Sequence, residues 1–186
     1  PERMKTAYGL SCIRRTNEDG YHYFISALKG EDTEGWIPLG VQAASVLIYN
    51  PVNGESGKAL LRQKDGRTEV YLQVASGESI LLKTFTNADV QASAWGYYEP
   101  KADGLTLTGK WGFRFVESIP AVSDSVTLGS WTELPVAEVK NTMGTASYSF
   151  KFNLNDLSIP EWRLDLGDVR ESARVRINGK DVATLW

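Results

Sequence analysis

The sequence predicts an all-β protein made of two β-sandwiches. Three observations point there. Apolar residues recur with a period of two rather than 3.6. The aromatic fraction is 11%, beside 17 Gly and 7 Pro, which is the composition of strands joined by many turns. The breaks between alternating runs carry turn chemistry: Asp19-Gly20, Asn50-Pro51, Asn53-Gly54 and Asp65-Gly66.

Taken in order, residues 21–28 put Tyr21, Tyr23, Ile25 and Ala27 on one face. Ala44, Val46 and Ile48 share another. In TEVYLQVA, Val70, Leu72 and Val74 face one way and Glu69, Tyr71 and Gln73 the other; ESILLKTF follows a Ser-Gly turn. Residues 8–86 read as about seven short strands, so 1–88 form a first sandwich. Residues 89–104 are richer in small and polar residues and end in Pro100 and Asp103-Gly104, the pattern of a domain connection.

Alternation resumes at Leu105. LTLTGKWGFRF sets Leu105, Leu107, Trp111, Phe113 and Phe115 inward, and ASYSFKFNL does the same with Tyr148, Phe150, Phe152 and Leu154. WRLDLG repeats it with Trp162, Leu164 and Leu166. ARVRINGKDVATLW is a hairpin turning at Asn178-Gly179. No helix of three turns is visible. Five or six strands after Leu105 fall short of the about eight of a jelly roll. The expectation for 105–186 is an incomplete sandwich, with a complete domain of fewer strands as the alternative; the uncovered edge near 181–186 should pair with something, such as another copy of the chain, or else fray.

Composition excludes several functions. The net charge is −3 without a Lys/Arg cluster, a poor match to nucleic acid or an anionic lipid surface. No run of about 18 apolar residues occurs, so no helix spans a membrane. A single Cys permits neither an internal disulfide framework nor a cysteine zinc cluster, and a single His makes a nucleophile–histidine pair improbable. The opening PERMKTAYGL shows no signal-peptide pattern.

The ordered phrases LTLTGKWGFRF, LGSWTELP, GTASYSFKFNL and WRLDLGDVRESARVRINGKDVATLW resemble the galactose-binding-like jelly roll of sugar-cleaving enzymes. They are most similar to the C-terminal β-sandwich region of glycoside hydrolase family 106, the α-L-rhamnosidases. Gly144, Tyr148, Leu164, Asp165, Leu166, Gly167, Val169, Ala173, Val175, Asn178 and Gly179 occupy the pattern positions. IRRTNEDGYHYFISA, IYNPVNGESG and VASGESILLKTF resemble the sandwich that precedes this jelly roll. The resemblance implies a non-catalytic accessory region that supports a catalytic barrel and contributes sugar contacts, in a periplasmic or secreted parent. It carries over no catalytic residue, because the barrel lies N-terminal to these sandwiches in the family and nothing like it is present. It also implies further strands after the last hairpin. Two other readings stand beside it: a stand-alone carbohydrate-binding module, and a structural or adhesion sandwich without a sugar site.

Site candidates follow from chemistry. Glycoside hydrolysis needs two carboxyls at a fixed separation. The available sets, Glu31/Asp32/Glu34, Asp165/Asp168 and Asp156/Glu161, fall in turns or at strand ends, where Asp usually bonds its own backbone. No cofactor is expected. A structural calcium would draw on Asp89, Asp103, Asn153, Asn155 and Asp156, among which the sequence does not choose. Sugar rings stack their C–H faces on aromatic side chains while their hydroxyls need polar partners. Loop aromatics are therefore the candidate carbohydrate contacts: Trp36 in EGWIPLG, and Trp95, Tyr97 and Tyr98 beside Gln91 and Glu99, with plugging of a sandwich interface as the alternative. Trp111, Trp131 and Trp162 read as core, Cys12 as a small buried apolar residue, and His22 as a surface or cross-strand residue. Arg14, Arg15, Arg174 and Arg176 read as solvent-face residues; Arg174 and Arg176 would pair with carboxylates on a neighbouring strand.

Overall fold

The computed structural model describes residues 2, 4–28, 31–99, 104–116, 123–135, 137–154, 157–159, 161–167, 169 and 171–185. The chain divides into two compact units, Pro1–Asp103 and Gly104–Trp186. Both are almost wholly β, as the alternation predicts. None of the described helices is long and apolar enough to cross a membrane.

The first unit opens with a short helix, α1 (Met4–Tyr8), closed by the Leu10 N–H donating to the Met4 carbonyl at 3.2 Å. Eight strands follow: β1 (Ser11–Thr16), β2 (Gly20–Ser26), β3 (Thr33–Pro38), β4 (Ser45–Tyr49), β5 (Ser56–Lys58), β6 (Leu61–Lys64), β7 (Arg67–Val74) and β8 (Ser79–Phe85). They form two antiparallel sheets, in the orders β1-β2-β8-β4-β5 and β3-β7-β6. The period of two sends one face of each sheet inward. Tyr23, Ile25, Val46, Ile48, Ile80 and Leu82 from the larger sheet meet Ile37, Val70, Leu72 and Val74 from the smaller in one core. Ala44 departs from the expected alternation: it is exposed, and Ala43 and Ser45 are buried instead. Asp65 and Gly66, at φ 50° and 72°, make the tight turn that brings Lys64 opposite Arg67. Two consecutive left-handed residues match the twist of a hairpin.

Residues 89–97, expected within a connection, are laid against this first unit. The Ser45 hydroxyl donates to the Ala88 carbonyl at 2.7 Å and accepts from the Val90 N–H at 3.2 Å. Ala94 bridges Lys58 in parallel, with the Lys58 N–H donating to Ser93 and the Trp95 N–H donating to Lys58. This strap occupies the free edge of β5, which would otherwise expose unpaired backbone groups.

The second unit contains β9 (Lys110–Phe115), β10 (Ser123–Thr127), a 3₁₀ turn at Trp131–Glu133, helix α2 (Ala137–Lys140), β11 (Ala146–Ser149), β12 (Ala173–Ile177) and β13 (Lys180–Leu185). The described strands make a three-stranded sheet, β10-β9-β11, and a separate hairpin, β12-β13. Phe113, Phe115, Val126 and Val139 form the core, with Trp111, Trp131 and Tyr148 packed on it. The hairpin turns at Asn178 and Gly179, φ 51° and 78°, as predicted. Its strands leave Val182 62% exposed and Ile177 39% exposed. Two expectations are corrected. WRLDLG forms no strand, and Trp162 and Leu164 are exposed rather than core. Phe152 is exposed as well, because the strand that starts at Ala146 ends at Ser149. Alternation alone does not hold a strand when no neighbour supplies a hydrogen-bond ladder.

Candidate functional site

The smaller sheet of the first unit buries Ile37, Val70, Leu72 and Val74, so the intervening residues turn outward. Register then decides which of them meet. Trp36 pairs with Tyr71, Glu34 with Gln73, and both Pro38 and Arg62 with Glu69. The Trp36 and Tyr71 rings meet edge to face, centroids 5.3 Å apart and planes at 69°. Tyr97 reaches the same place from the strap and meets Tyr71 at 5.3 Å and 76°. The Arg62 guanidinium lies 4.5 Å from the Trp36 ring centroid, while its Nε donates to Glu69 Oε2 at 2.6 Å.

Polar groups converge beside these rings. Glu34 Oε1 accepts from the Tyr71 hydroxyl at 2.8 Å and from Gln73 Nε2 at 3.0 Å. Gln73 also holds the backbone of Tyr98, accepting its N–H at 2.8 Å and donating to its carbonyl at 2.7 Å. The Tyr97 hydroxyl accepts from the Leu60 N–H at 3.0 Å and donates to the Tyr71 carbonyl at 2.9 Å. The two donated bonds hold the Glu34 carboxyl below the usual carboxylate range, Tyr71 contributing most. The same bond pushes the Tyr71 phenol up, and burial does so for Tyr97.

The strap can reach the sheet because Gly57 lacks a side chain. A Cβ there would stand 2.5 Å from the Trp95 Cα and 2.7 Å from its nitrogen, both backbone atoms. The close approach is thus written into one glycine of β5.

The four aromatic candidates separate. Trp36 and Tyr97 belong to the outward cluster; Tyr98, 47% exposed, flanks it through its backbone. Trp95 and Tyr97 are both half-buried and pack against the core of the first unit, but only Tyr97 also meets the Tyr71 ring. Trp36 is not in a loop: Thr33–Pro38 is a strand, in which Gly35 adopts φ 144° and Pro38 closes the end. Tyr71, which joins Trp36 to Tyr97, was not singled out by sequence; its signal is cross-strand register, which no local pattern contains.

Of the carboxylate sets, the described members Asp32 and Asp165 are engaged by backbone N–H groups. Asp32 accepts from the Ser76 N–H at 2.8 Å, and Asp165 accepts from the Gly167 N–H at 2.8 Å, an Asx turn of the expected kind. Asp156 and Asp168 lie outside the described residues. Of the calcium candidates, Asp89 pairs with Lys58 and Asn153 is exposed, while Asp103, Asn155 and Asp156 are outside the described residues. Among the described residues no group of three or more His, Cys, Asp or Glu is placed to hold a metal.

Of the remaining candidates, Arg176 pairs with Asp181 across the hairpin at 2.7 Å. Arg14 is not a simple solvent-face residue: it pairs with Glu2 at 2.6 Å and lies against the Tyr21 and Tyr23 rings. Glu2 also accepts from the Tyr23 hydroxyl and the Gly40 N–H, both at 3.0 Å. His22 is exposed, with Nδ1 3.1 Å from Asn17 Nδ2. Cys12 is only half-buried; burial, then Glu2, push its thiol up to about 11.

No family profile matches the chain. A curated protein of Formosa agariphila, provisionally named a beta-glucuronidase, is 32% identical over 87 residues, which is 44% of this chain and 8% of that protein. The solved structure of a rhamnosidase from Novosphingobium sp. PP1Y superposes with a TM-score of 0.71 at 23% identity. That match covers 95% of this chain and 17% of the rhamnosidase. The fold is therefore that of a region of a rhamnosidase, and the chain spans a small fraction of either protein.

Proposed function

We propose that this chain is a non-catalytic β-sandwich region of an α-L-rhamnosidase-like glycoside hydrolase. In this reading it braces the catalytic barrel of a longer polypeptide, and its second unit corresponds to a galactose-binding-like jelly roll. The observation that supports this most is the single fold correspondence along 95% of the chain with 17% of a rhamnosidase. The larger sheet offers a surface suited to bracing. Ile13, Phe24, Leu81 and Tyr49 stand in register on its outward side, and Ile13 is 62% exposed. The exposed strand β13 is a second such surface, suited to pairing with a further strand.

The outward cluster of Trp36, Tyr71 and Tyr97 adds a carbohydrate contact. Aromatic rings beside Glu34, Gln73 and Arg62 give both stacking surface and hydroxyl partners. The same cluster is what favours a carbohydrate-binding module over a sandwich without a sugar site.

The coding sequence around this segment tests the reading. A neighbouring stretch that encodes a (β/α)-type barrel agrees with it. Flanks that encode surface repeats or adhesion modules, and no barrel, overturn it.

A further inference from the structure

We infer that the Trp36–Tyr71–Tyr97 face takes a neutral pyranoside, bound by hydroxyl donation to Glu34, and rejects a uronoside. This rests on the carbohydrate reading above and narrows its ligand class. Among the described residues, both donors to Glu34 go to Oε1, the Tyr71 hydroxyl and Gln73 Nε2, so Oε2 keeps its lone pairs for a ligand. A carboxylate with a free oxygen accepts hydrogens from sugar hydroxyls through charge-assisted bonds. The bond from Tyr71 also keeps that carboxyl ionised.

The charges around the rings decide the class. Glu34 is exposed on β3, and Glu99 lies close enough to Tyr71 to raise its phenol. Arg62, the cation against Trp36, already pairs with Glu69 at 2.6 Å. Among the described residues, the other basic groups on the outward side of this sheet, Lys64 and Arg67, sit at the β6–β7 turn. Arg67 is four residues from Tyr71 along β7, about 13 Å at the rise of an extended strand. A single sugar ring, about half that across, cannot touch both the Glu34 end and that turn. Among the described residues, the charged groups nearest the Glu34 end are the Glu34 and Glu99 carboxylates, with the Arg62–Glu69 ion pair lying further along the strand toward Pro38. A uronate would bring another negative charge to this place, and like charges in contact are strongly disfavoured.

The experiment is an amide and indole NMR titration of the whole chain with methyl α-L-rhamnopyranoside and, separately, methyl β-D-glucuronide. The expected result is movement of the Trp36 indole and Gln73 side-chain signals by the neutral glycoside, with the uronide at least about tenfold weaker. Trp36→Ala should abolish the response. Glu34→Gln, at an exposed position, should weaken the neutral glycoside and narrow the gap to the uronide. Equal or tighter binding of the uronide overturns this inference and leaves the carbohydrate reading standing. So does neutral binding that Glu34→Gln leaves unchanged. Silence toward both glycosides overturns the two together.

Discussion

Trp36 and Tyr71 stand directly opposite each other on β3 and β7, their rings edge to face at 5.3 Å. They are separated by 35 residues of sequence, with β4, β5 and β6 lying between them in the chain. The inward residues of both strands supply the cohesion of the first unit, and the outward ones bring Trp36, Tyr71 and Tyr97 together.

Tyr71→Phe removes the main donor to Glu34 and leaves the ring stacked. The Glu34 carboxyl should then titrate higher, closer to its ordinary value of 4.5. The sign follows from linkage. A depressed carboxylate contributes stability above its unfolded pKa and loses it as pH falls through the folded one. Sugar binding through Glu34 should likewise persist at pH 4.5 and fail below it. An NMR titration of the Glu34 side chain in both proteins checks this; identical curves would refute the link.

Gly57→Ala should displace the strap. The added Cβ meets backbone at Trp95 rather than a flexible side chain, so the strand edge must move. A cost of about 1–3 kcal/mol is expected, the usual range for overpacking. Tyr97 should lose its hydrogen bonds to Leu60 and Tyr71. Denaturant unfolding, with hydrogen exchange at the Leu60 and Trp95 amides, gives the readout. Unchanged protection at both amides would contradict the proposed role of this glycine.

Cys12 should react slowly with thiol reagents. With its pKa at about 11, about one molecule in a thousand is thiolate at pH 8. The raised value also predicts stability that is complete below pH 9 and declines toward pH 11, because only the unfolded chain ionises in that window. Disulfide-exchange kinetics on the native and denatured chain measure the first effect. Native reactivity equal to denatured reactivity would rule it out.

The hairpin β12-β13 should make the isolated chain self-associate. Ile177, Val182 and Leu185 are exposed, and β13 pairs only with β12 among the described strands. Light scattering should show mass rising with concentration, and Val182→Lys should suppress the rise, as charge on an edge strand does. A concentration-independent monomer would count against the edge as the contact.

Much of this was legible in the sequence, for a local reason. Val70, Leu72 and Val74 alternate, and the three are buried. The Asn178-Gly179 and Asp65-Gly66 turns follow from left-handed backbone that few other residues tolerate. What misled was equally local. Gly35 and Pro38 give EGWIPLG the look of a loop, yet both are compatible with a short strand. Trp162 and Leu164 alternate without being buried. The pairing of Trp36 with Tyr71 and the approach of Tyr97 depend on strand register and on Gly57, which sequence patterns do not encode.

The central claim is that this chain supports a sugar-cleaving enzyme without performing the cleavage. The most direct measurement is release of nitrophenol from an aryl α-L-rhamnoside by this chain and by the full polypeptide its gene encodes. The account predicts turnover by the full polypeptide and none by the chain alone. Turnover by the isolated chain, or inactivity of the full polypeptide toward aryl glycosides of every class, would contradict it.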